Sequence, residues 1–362
     1  MRLKIFAATM FTVVGVNAVV ADEVSGYARV AGFGYSEPVA LRQFATDWSG
    51  GISSGTAALQ YVQAESGVKY RDWGVGLFWR DDGEARFSAD TAQLYYLLKN
   101  KLPLEVGKRY TIDLDIEHVR SNGVRVFRAV TFDTLATLTL GASLFRTDKL
   151  ISGTMKGTVT ATSSKDYNFS EVTVDYFYSR DALFDREVVA PQGRGFGFDL
   201  ELDATLAPAL GVRLQMQNLF GNIFWKSAPF TQAQVDSNNK TYDVNGYVHV
   251  RPLLSGRVGE RDYRQHLPLL VDTQLNYRLT HAIDLVGSLA YTPVKLFRSV
   301  GAAWRWSAHT DISALYTLDA NMLRLSTRFE HCYVTLGSDR AVVSKAHTLA
   351  IAMGFTYPIG DF

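Results

Sequence analysis

Between residues 269 and 291 the chain alternates strictly enough to assign a conformation. Leu269, Val271, Leu275, Tyr277 and Leu279 fall on one side of an extended chain, with Asp272, Gln274, Asn276 and Arg278 on the other. This is the two-residue period of a β-strand. After Thr280, His281 and Ala282 the pattern resumes, with Ile283, Leu285, Leu289 and Tyr291 apolar and Asp284 and Ser288 polar. A one-residue slip would exchange the two faces, so keeping apolar opposite apolar fixes the register of this hairpin. Leu279 then lies across from Ile283, and Arg278 across from Asp284 as a cross-strand ion pair.

The same alternation recurs along the chain. Ile112, Leu114 and Ile116 oppose Asp113, Asp115 and Glu117, and Ser121-Asn122-Gly123 reads as a turn into Val124–Phe132. Ala136, Leu138, Leu140, Ala142 and Leu144 alternate with small polar residues. Val172, Val174, Tyr176 and Tyr178 alternate with Glu171, Thr173 and Asp175, and Phe196, Phe198, Leu200 and Leu202 with Asp199, Glu201 and Asp203. Beyond Pro208, Val212, Leu214 and Met216 alternate with Arg213, Gln215 and Gln217, and the register pairs Asp203 with Arg213. Strands are also expected at Ser25–Tyr35, Thr56–Gln63 and Trp73–Arg80, where Asp81-Asp82-Gly83 makes a turn into Glu84–Ala89. The C-terminal third adds segments near Tyr242–Val250, Ser299–Ser307, Asp311–Thr317, Met322–Phe329, Tyr333–Gly337 and Thr348–Tyr357.

Three stretches break the rhythm. Glu37–Ser54 alternates poorly and reads as a loop or plug. Asp90 followed by Gln93 reads as an N-cap pair opening a short helix, Thr91–Lys101, stopped by Pro103, with Leu94, Tyr95, Leu98 and Leu102 on one face. Leu253–His266 is charged and unpatterned, as a solvated loop would be, and Asn238-Asn239-Lys240 reads as a loop tip.

The start of the chain sets the compartment. Arg2 and Lys4, the apolar run Ile5–Val16, and Val19 and Ala21 before Asp22 form a secretory signal peptide, residues 1–21. That run is short of the roughly 20 residues a spanning helix needs, and nothing later reaches helix-spanning length. Residues 22–362 lack a Pro/Ser-rich linker and read as one domain. A net charge of +1 gives no sign of a nucleic-acid partner, and the single cysteine, Cys332, forms no internal disulfide.

Some 12 to 16 segments, each near the roughly 10 residues that cross a bilayer as a tilted strand, point to an all-β, antiparallel transmembrane barrel. Aromatics bunch toward strand ends, as in an interfacial girdle: Tyr176 and Tyr178, Trp304 and Trp306, Phe355 and Tyr357. A large secreted β-sandwich that binds a ligand is the alternative. The polar faces decide between them, because an Arg at the bilayer midplane costs roughly 2 to 4 kcal/mol and must turn inward. The lumen-facing candidates are Asp113, Asp115, Glu117, Glu171, Asp175, Asp199, Glu201 and Asp203 in the first half, then Arg213, Asp272, Arg278, Asp284, Arg305, Arg324 and Arg328. An acidic wall facing a basic one would put a transverse field across a narrow pore for dipolar solutes. Pairing of the same charges would instead lock the interior.

Leu349, Ile351, Met353, Phe355 and Tyr357 alternate up to the terminal Phe362. This resembles the C-terminal signal of bacterial outer-membrane barrels, and it implies the barrel assembly machinery as a biogenesis partner and outer-membrane lipid as solvent. The phase departs from that signal: counting back in twos from Phe362 meets Gly360, Pro358 and Thr356. Ala190-Pro191-Gln192-Gly193-Arg194-Gly195-Phe196-Gly197-Phe198-Asp199, followed by Asn218-Leu219-Phe220 and Trp225, resembles the FadL-like and TraF-like (conjugal transfer) barrels. The resemblance implies a monomeric barrel of about 14 strands with an N-terminal segment folded into it, Glu37–Ser54 here.

Candidate chemistry adds little. Gly51-Ile52-Ser53-Ser54-Gly55 fits G-x-S-x-G, but a strand-like run follows where a nucleophile elbow needs a helix. The histidines at 118, 249, 266, 281, 309, 331 and 347 lack metal-ligand spacing, and no motif calls for a cofactor. The expectation is an outer-membrane channel or transport protein for small solutes, not an enzyme. A non-conducting barrel of the envelope or of a secretion or conjugation apparatus is the alternative.

Overall fold

The computed structural model describes residues 24–359 apart from 134, 182, 184, 238–239, 243–247, 251–253 and 308. The expected signal peptide, residues 1–21, together with Asn238-Asn239 and Phe362, lies outside the described residues. Strands run in the order β1 (Val24–Ser36), β2 (Ala57–Tyr70), β3 (Trp73–Phe87), β4 (Arg109–Phe132), β5 (Ala136–Ala161), β6 (Tyr167–Tyr178), β7 (Gln192–Ala207) and β8 (Leu210–Val235). The short β9 (Lys240–Tyr242) and β10 (Val248–Val250) pair with each other, among the described residues, and β11 (Leu254–His266) follows. The remainder are β12 (Leu270–Arg278), β13 (Ile283–Tyr291), β14 (Leu296–Ser307), β15 (Thr310–Thr317), β16 (Met322–Phe329), β17 (Cys332–Ser338) and β18 (Thr348–Pro358).

A ring of 14 antiparallel strands closes: β1 to β5, then β7, β8, and β12 to β18, with β18 returning to β1 from Ser25↔Pro358 to Tyr35↔Thr348. The strands form one closed ring and not two stacked sheets, so the sandwich reading falls. The expected hairpin register holds, with Arg278 opposite Asp284 and Asp203 opposite Arg213. The ion pair does not follow the register in the first case: Asp284 takes Arg305 of the next strand instead.

The wall is taller on one side. β4 has 24 residues and β5 and β8 have 26 each, more than twice what a bilayer requires. Above the common ring, β6 continues the line of β7 between β5 and β8, and β11 continues the line of β12 beside β8. At the rim where β1 begins and β18 ends, every connection is short, such as 71–72 between β2 and β3 and 330–331 between β16 and β17. The opposite rim carries the long ones, 37–56, 88–108 and 236–253. Short turns on one side and long loops on the other mark the periplasmic and external rims of a membrane barrel.

The outer surface of the ring is apolar. Val30, Val68, Val75, Leu77, Val126, Leu140, Leu144, Leu285, Val300, Leu325, Leu336 and Met353 are all exposed there. Near the short-turn rim they give way to exposed aromatics: Tyr70, Trp73, Phe132, Trp304, Trp306, Phe329, Phe355 and Tyr357. A soluble fold does not present so large a continuous apolar band to water. The fold is therefore a transmembrane β-barrel.

Several expectations are corrected. Asp81-Asp82-Gly83 and Ser121-Asn122-Gly123 are not turns, since β3 and β4 run straight through them. There the strands leave the apolar band, and side-chain partners replace lipid: Asp81 accepts from Gln60, His118 and Arg120. Gly123 serves close strand contact, because a Cβ would meet Leu144 O at 2.2 Å. Leu253–His266 is largely strand β11, exposed along nearly its whole length, so no apolar face marked it. Tyr176 and Tyr178 are buried instead of forming a girdle. They lie under Asp181, Arg186 and Val188: Asp181 accepts from the Tyr176 hydroxyl at 2.5 Å and Arg186 donates to the Tyr178 hydroxyl at 3.0 Å.

The helix α2 spans Ala89–Lys99, two residues earlier than expected, and is capped by Ser88, whose Oγ accepts from Thr91 N at 3.0 Å. Asp90 instead accepts from the Thr111 amide. Residues 37–56, with the short helix α1 (Leu41–Phe44), do not thread the lumen. Val39 and Trp48 pack with Ala92 on Ala58, Ala85, Phe87, Leu114 and Ile116, which lie on the outward side of the tall wall. Beyond the bilayer that outward face meets water, and this segment and α2 cover it.

Candidate functional site

Inside the ring, side chains sort by height. Toward the external rim two apolar clusters fill the interior side by side, one against β1, β2 and β12–β18 and the other against β3–β6, β8 and β11. One joins Phe33, Tyr35, Leu59, Tyr61, Leu270, Phe297 and Met322, with Phe297 edge-on to Phe33 and Tyr35 at 5.1 and 5.2 Å between centroids. The other joins Phe78, Val119, Phe145, Phe177, Ile223, Trp225 and Phe230. Each fully buried aromatic or aliphatic side chain is worth roughly 1.5 to 3 kcal/mol, so these clusters are a packed septum.

A latch sits at the septum's edge. Lys295 Nζ, in the β13–β14 turn, donates to Glu37 Oε1 and Tyr35 Oη, both at 2.6 Å, and Glu37 Oε2 accepts from Thr56 N at 2.7 Å. Burial alone would raise the Glu37 carboxyl, but the bonds from Lys295, Thr56 and Tyr35 outweigh it and hold the group below its ordinary 4.5. Burial works against the Lys295 ammonium, yet Glu37 and Tyr35 hold it above 10.5.

Below the septum the lumen is polar and divides in two. On the β1–β7 side it is filled by an ion network. Glu65 accepts from Tyr27 at 2.7 Å and Arg29 at 2.6 Å and lies 3.6 Å from Arg125, which in turn pairs with Asp199. Arg125 and Asp199 stand on β4 and β7 with β5 between them. They meet because residue 141 on β5 is glycine, where a Cβ would lie 2.3 Å from the Asp199 carboxylate.

On the β8 and β12–β16 side a cavity of about 440 Å³ remains near the short-turn rim. Arg213, Arg278, Arg305, Arg324 and Arg328 line it, with Asp284, Asp311, Gln274, Asn276, Ser313 and Ser326. Arg305 holds Asp284 at 2.6 and 2.8 Å, Arg213 holds Asp203 at 2.6 Å, and Arg328 lies 3.7 Å from Asp311. Arg278 makes no ion pair among the described residues, and the buried Arg328 Nε has no hydrogen-bond partner.

The lumen candidates from the sequence therefore separate. Asp199, Glu201, Asp203, Arg213, Asp272, Arg278, Asp284, Arg305, Arg324 and Arg328 face the interior of the ring. Asp113, Asp115, Glu117, Glu171 and Asp175 stand on the tall wall above it. Asp115 pairs with Arg86 at 3.2 Å, Glu117 accepts from Ser152 and Gln265, and Asp175 accepts from Gln232. Acidic and basic residues are interleaved on neighbouring strands, not gathered on opposing walls. Sequence reasoning missed Arg29, Glu65, Arg80 and Arg125; their signal was position, since each is a polar residue at an inward register in an otherwise alternating strand. Gly51–Gly55 runs into β2 and forms no strand-to-helix elbow.

No protein-family profile and no curated protein matches the sequence. Among solved structures the chain is similar to a deletion mutant of the TodX monoaromatic hydrocarbon channel (TM-score 0.45, 9% identity, covering 94% of this chain and 91% of that one). It is also similar to the P. putida toluene transporter TodX (0.41, 9%, 94% and 90%) and to a Pseudomonas aeruginosa FadL homologue (0.37, 8%, 93% and 89%).

Proposed function

We propose that the chain is an outer-membrane channel or transport protein for small solutes, held closed by the septum, whose arginine-lined vestibule takes an anionic or zwitterionic solute from the periplasmic side. The vestibule carries this reading. A barrel built only as scaffold has no use for a 440 Å³ cavity in which five guanidiniums converge and one of them stays unpaired. Charge-assisted bonds to carboxylate or phosphate are what such groups are suited to make. The carboxylates of Asp284 and Asp311 would receive a solute's ammonium.

The septum favours a second reading, a barrel that never conducts and serves the envelope or an export apparatus. Planar-bilayer recording separates the two. Phe33→Ala with Phe297→Ala removes the middle of the first apolar cluster and is expected to turn a closed trace into resolved steps with anion preference. Adding Arg278→Gln and Arg328→Gln should erase that preference. A trace that stays closed in every variant overturns the transport reading.

A further inference from the structure

Outward-facing side chains change character abruptly where the tall wall leaves the apolar band. On β5, Leu144 is 70% exposed in that band, and the next outward residue is Arg146. Arg146 stands directly opposite Arg194 of β7, and both are exposed. The same row continues through Phe224 of β8 to Arg264 of β11, whose guanidinium lies 5.6 Å over the Phe224 ring. In the row above, Arg120 opposes Lys149, and Lys226 opposes Gln192.

Carboxylates do not balance this row. Asp81 is taken by His118 and Arg120 at 2.6 and 2.7 Å, and Asp262 accepts from the Ser227 amide. Asp148, at the β4–β5 bulge, and Glu260 of β11, further from the bilayer, are the acids that remain. Among the described residues Arg146, Arg194 and Lys226 make no ion pair. Like charges set directly across an antiparallel pair are destabilising, so the Arg146–Arg194 pair is a local liability that an anion between the two would reverse.

We infer that this belt binds the phosphate groups of anionic lipids in the leaflet at the long-loop rim. The inference rests on the membrane-barrel reading above. Height supports it, because the cations begin one outward position beyond the lipid-facing leucine, where headgroups sit. Aromatic contacts support it too: Arg120 lies 5.9 Å from the Trp79 ring, so the guanidiniums stand on an interfacial shelf of Trp79 and Phe224.

The full chain is reconstituted in nanodiscs of phosphatidylcholine alone and of phosphatidylcholine with diphosphorylated lipid A, and lipid A retained per protein is measured by native mass spectrometry. Arg146→Gln with Arg194→Gln is expected to weaken retention by about tenfold or more, since each basic residue near an anionic surface is worth ~1 kcal/mol. Arg128→Gln, an outward arginine near the opposite rim, should leave retention unchanged. Equal retention in the double variant, equal loss in Arg128→Gln, or displacement by millimolar inorganic phosphate, which would make free phosphate the ligand, overturns the proposal. Incorporation into plain phosphatidylcholine tests the membrane reading separately: failure there ends both, whereas incorporation with unaltered lipid A retention ends only the belt.

Discussion

The Arg125–Asp199 pair shows how a single residue without a side chain sets the interior. Both ends are nearly buried, with side-chain exposures of 10 and 16%, and Glu65 leans on the same guanidinium. Removing one partner of such a group strands the others, so Arg125→Met should lower unfolding free energy by about 3 to 5 kcal/mol. Chemical denaturation in lipid would show it, and adding Asp199→Asn should return part of the loss. Gly141→Ala should cost about 1 to 3 kcal/mol by pushing a methyl into the Asp199 carboxylate, and Asp199→Ala should suppress that cost. If the two substitutions prove additive, the glycine is not what lets the pair form. The acid was legible in the sequence as part of an alternating row. Its partner was not, because β4 and β7 are 74 residues apart here and period-two patterning says nothing about which polar faces converge.

At the scale of the element, alternation identified strands wherever one face meets lipid and failed where neither does. β11 and the upper part of β3 lie beyond the bilayer, so polar residues at successive positions looked like loop or turn. Glu37–Ser54 read as a loop or a plug because it is irregular, and the apolar outward positions Ala58, Ala85 and Phe87, which call for an external cover, favour the loop. The lipid boundary gives a test: Leu140→Arg on β5 should cost roughly 2 to 4 kcal/mol in a folding titration into lipid vesicles, and a cost below 1 kcal/mol would place it outside the hydrocarbon. The Glu37–Lys295 latch gives another. A carboxyl held below 4.5 contributes stability above that pH and loses it as pH falls through its lowered value. An ammonium held above 10.5 contributes below that pH and loses it as pH rises through its raised value. The 37–56 segment should therefore resist proteolysis at neutral pH and become cleavable in strong acid. Glu37→Gln should be cleavable already at neutral pH and lose the acid response, and an unaltered acid response in that variant would remove the latch.

For the whole molecule, the strand class and a barrel of roughly 12 to 16 strands followed from counting segments, and about 14 from the family resemblance; their parity did not follow, and it is the even number that brings both ends of the ring to one rim. The distribution of charge did not follow. Summing acids in the first half and arginines in the second suggested two opposed walls, but of the two readings it is pairing that the closed sheet shows: Asp203 lies beside Arg213, as the register had it, and Asp284 beside Arg305, which leaves the lumen a surplus of guanidinium in the vestibule. That surplus carries the transport reading, and the septum above it the closed state. Both depend on which face of the strands looks outward.

Orientation is measured most directly by site-directed spin labels on a Cys332→Ser background, with collisional access compared between oxygen dissolved in lipid and a water-soluble nickel chelate. Labels at Leu140, Leu325 and Leu336 should meet oxygen, and labels at Asp203, Ser313 and Ser326 should meet the chelate. The reverse assignment would turn the barrel inside out and contradict the vestibule with it.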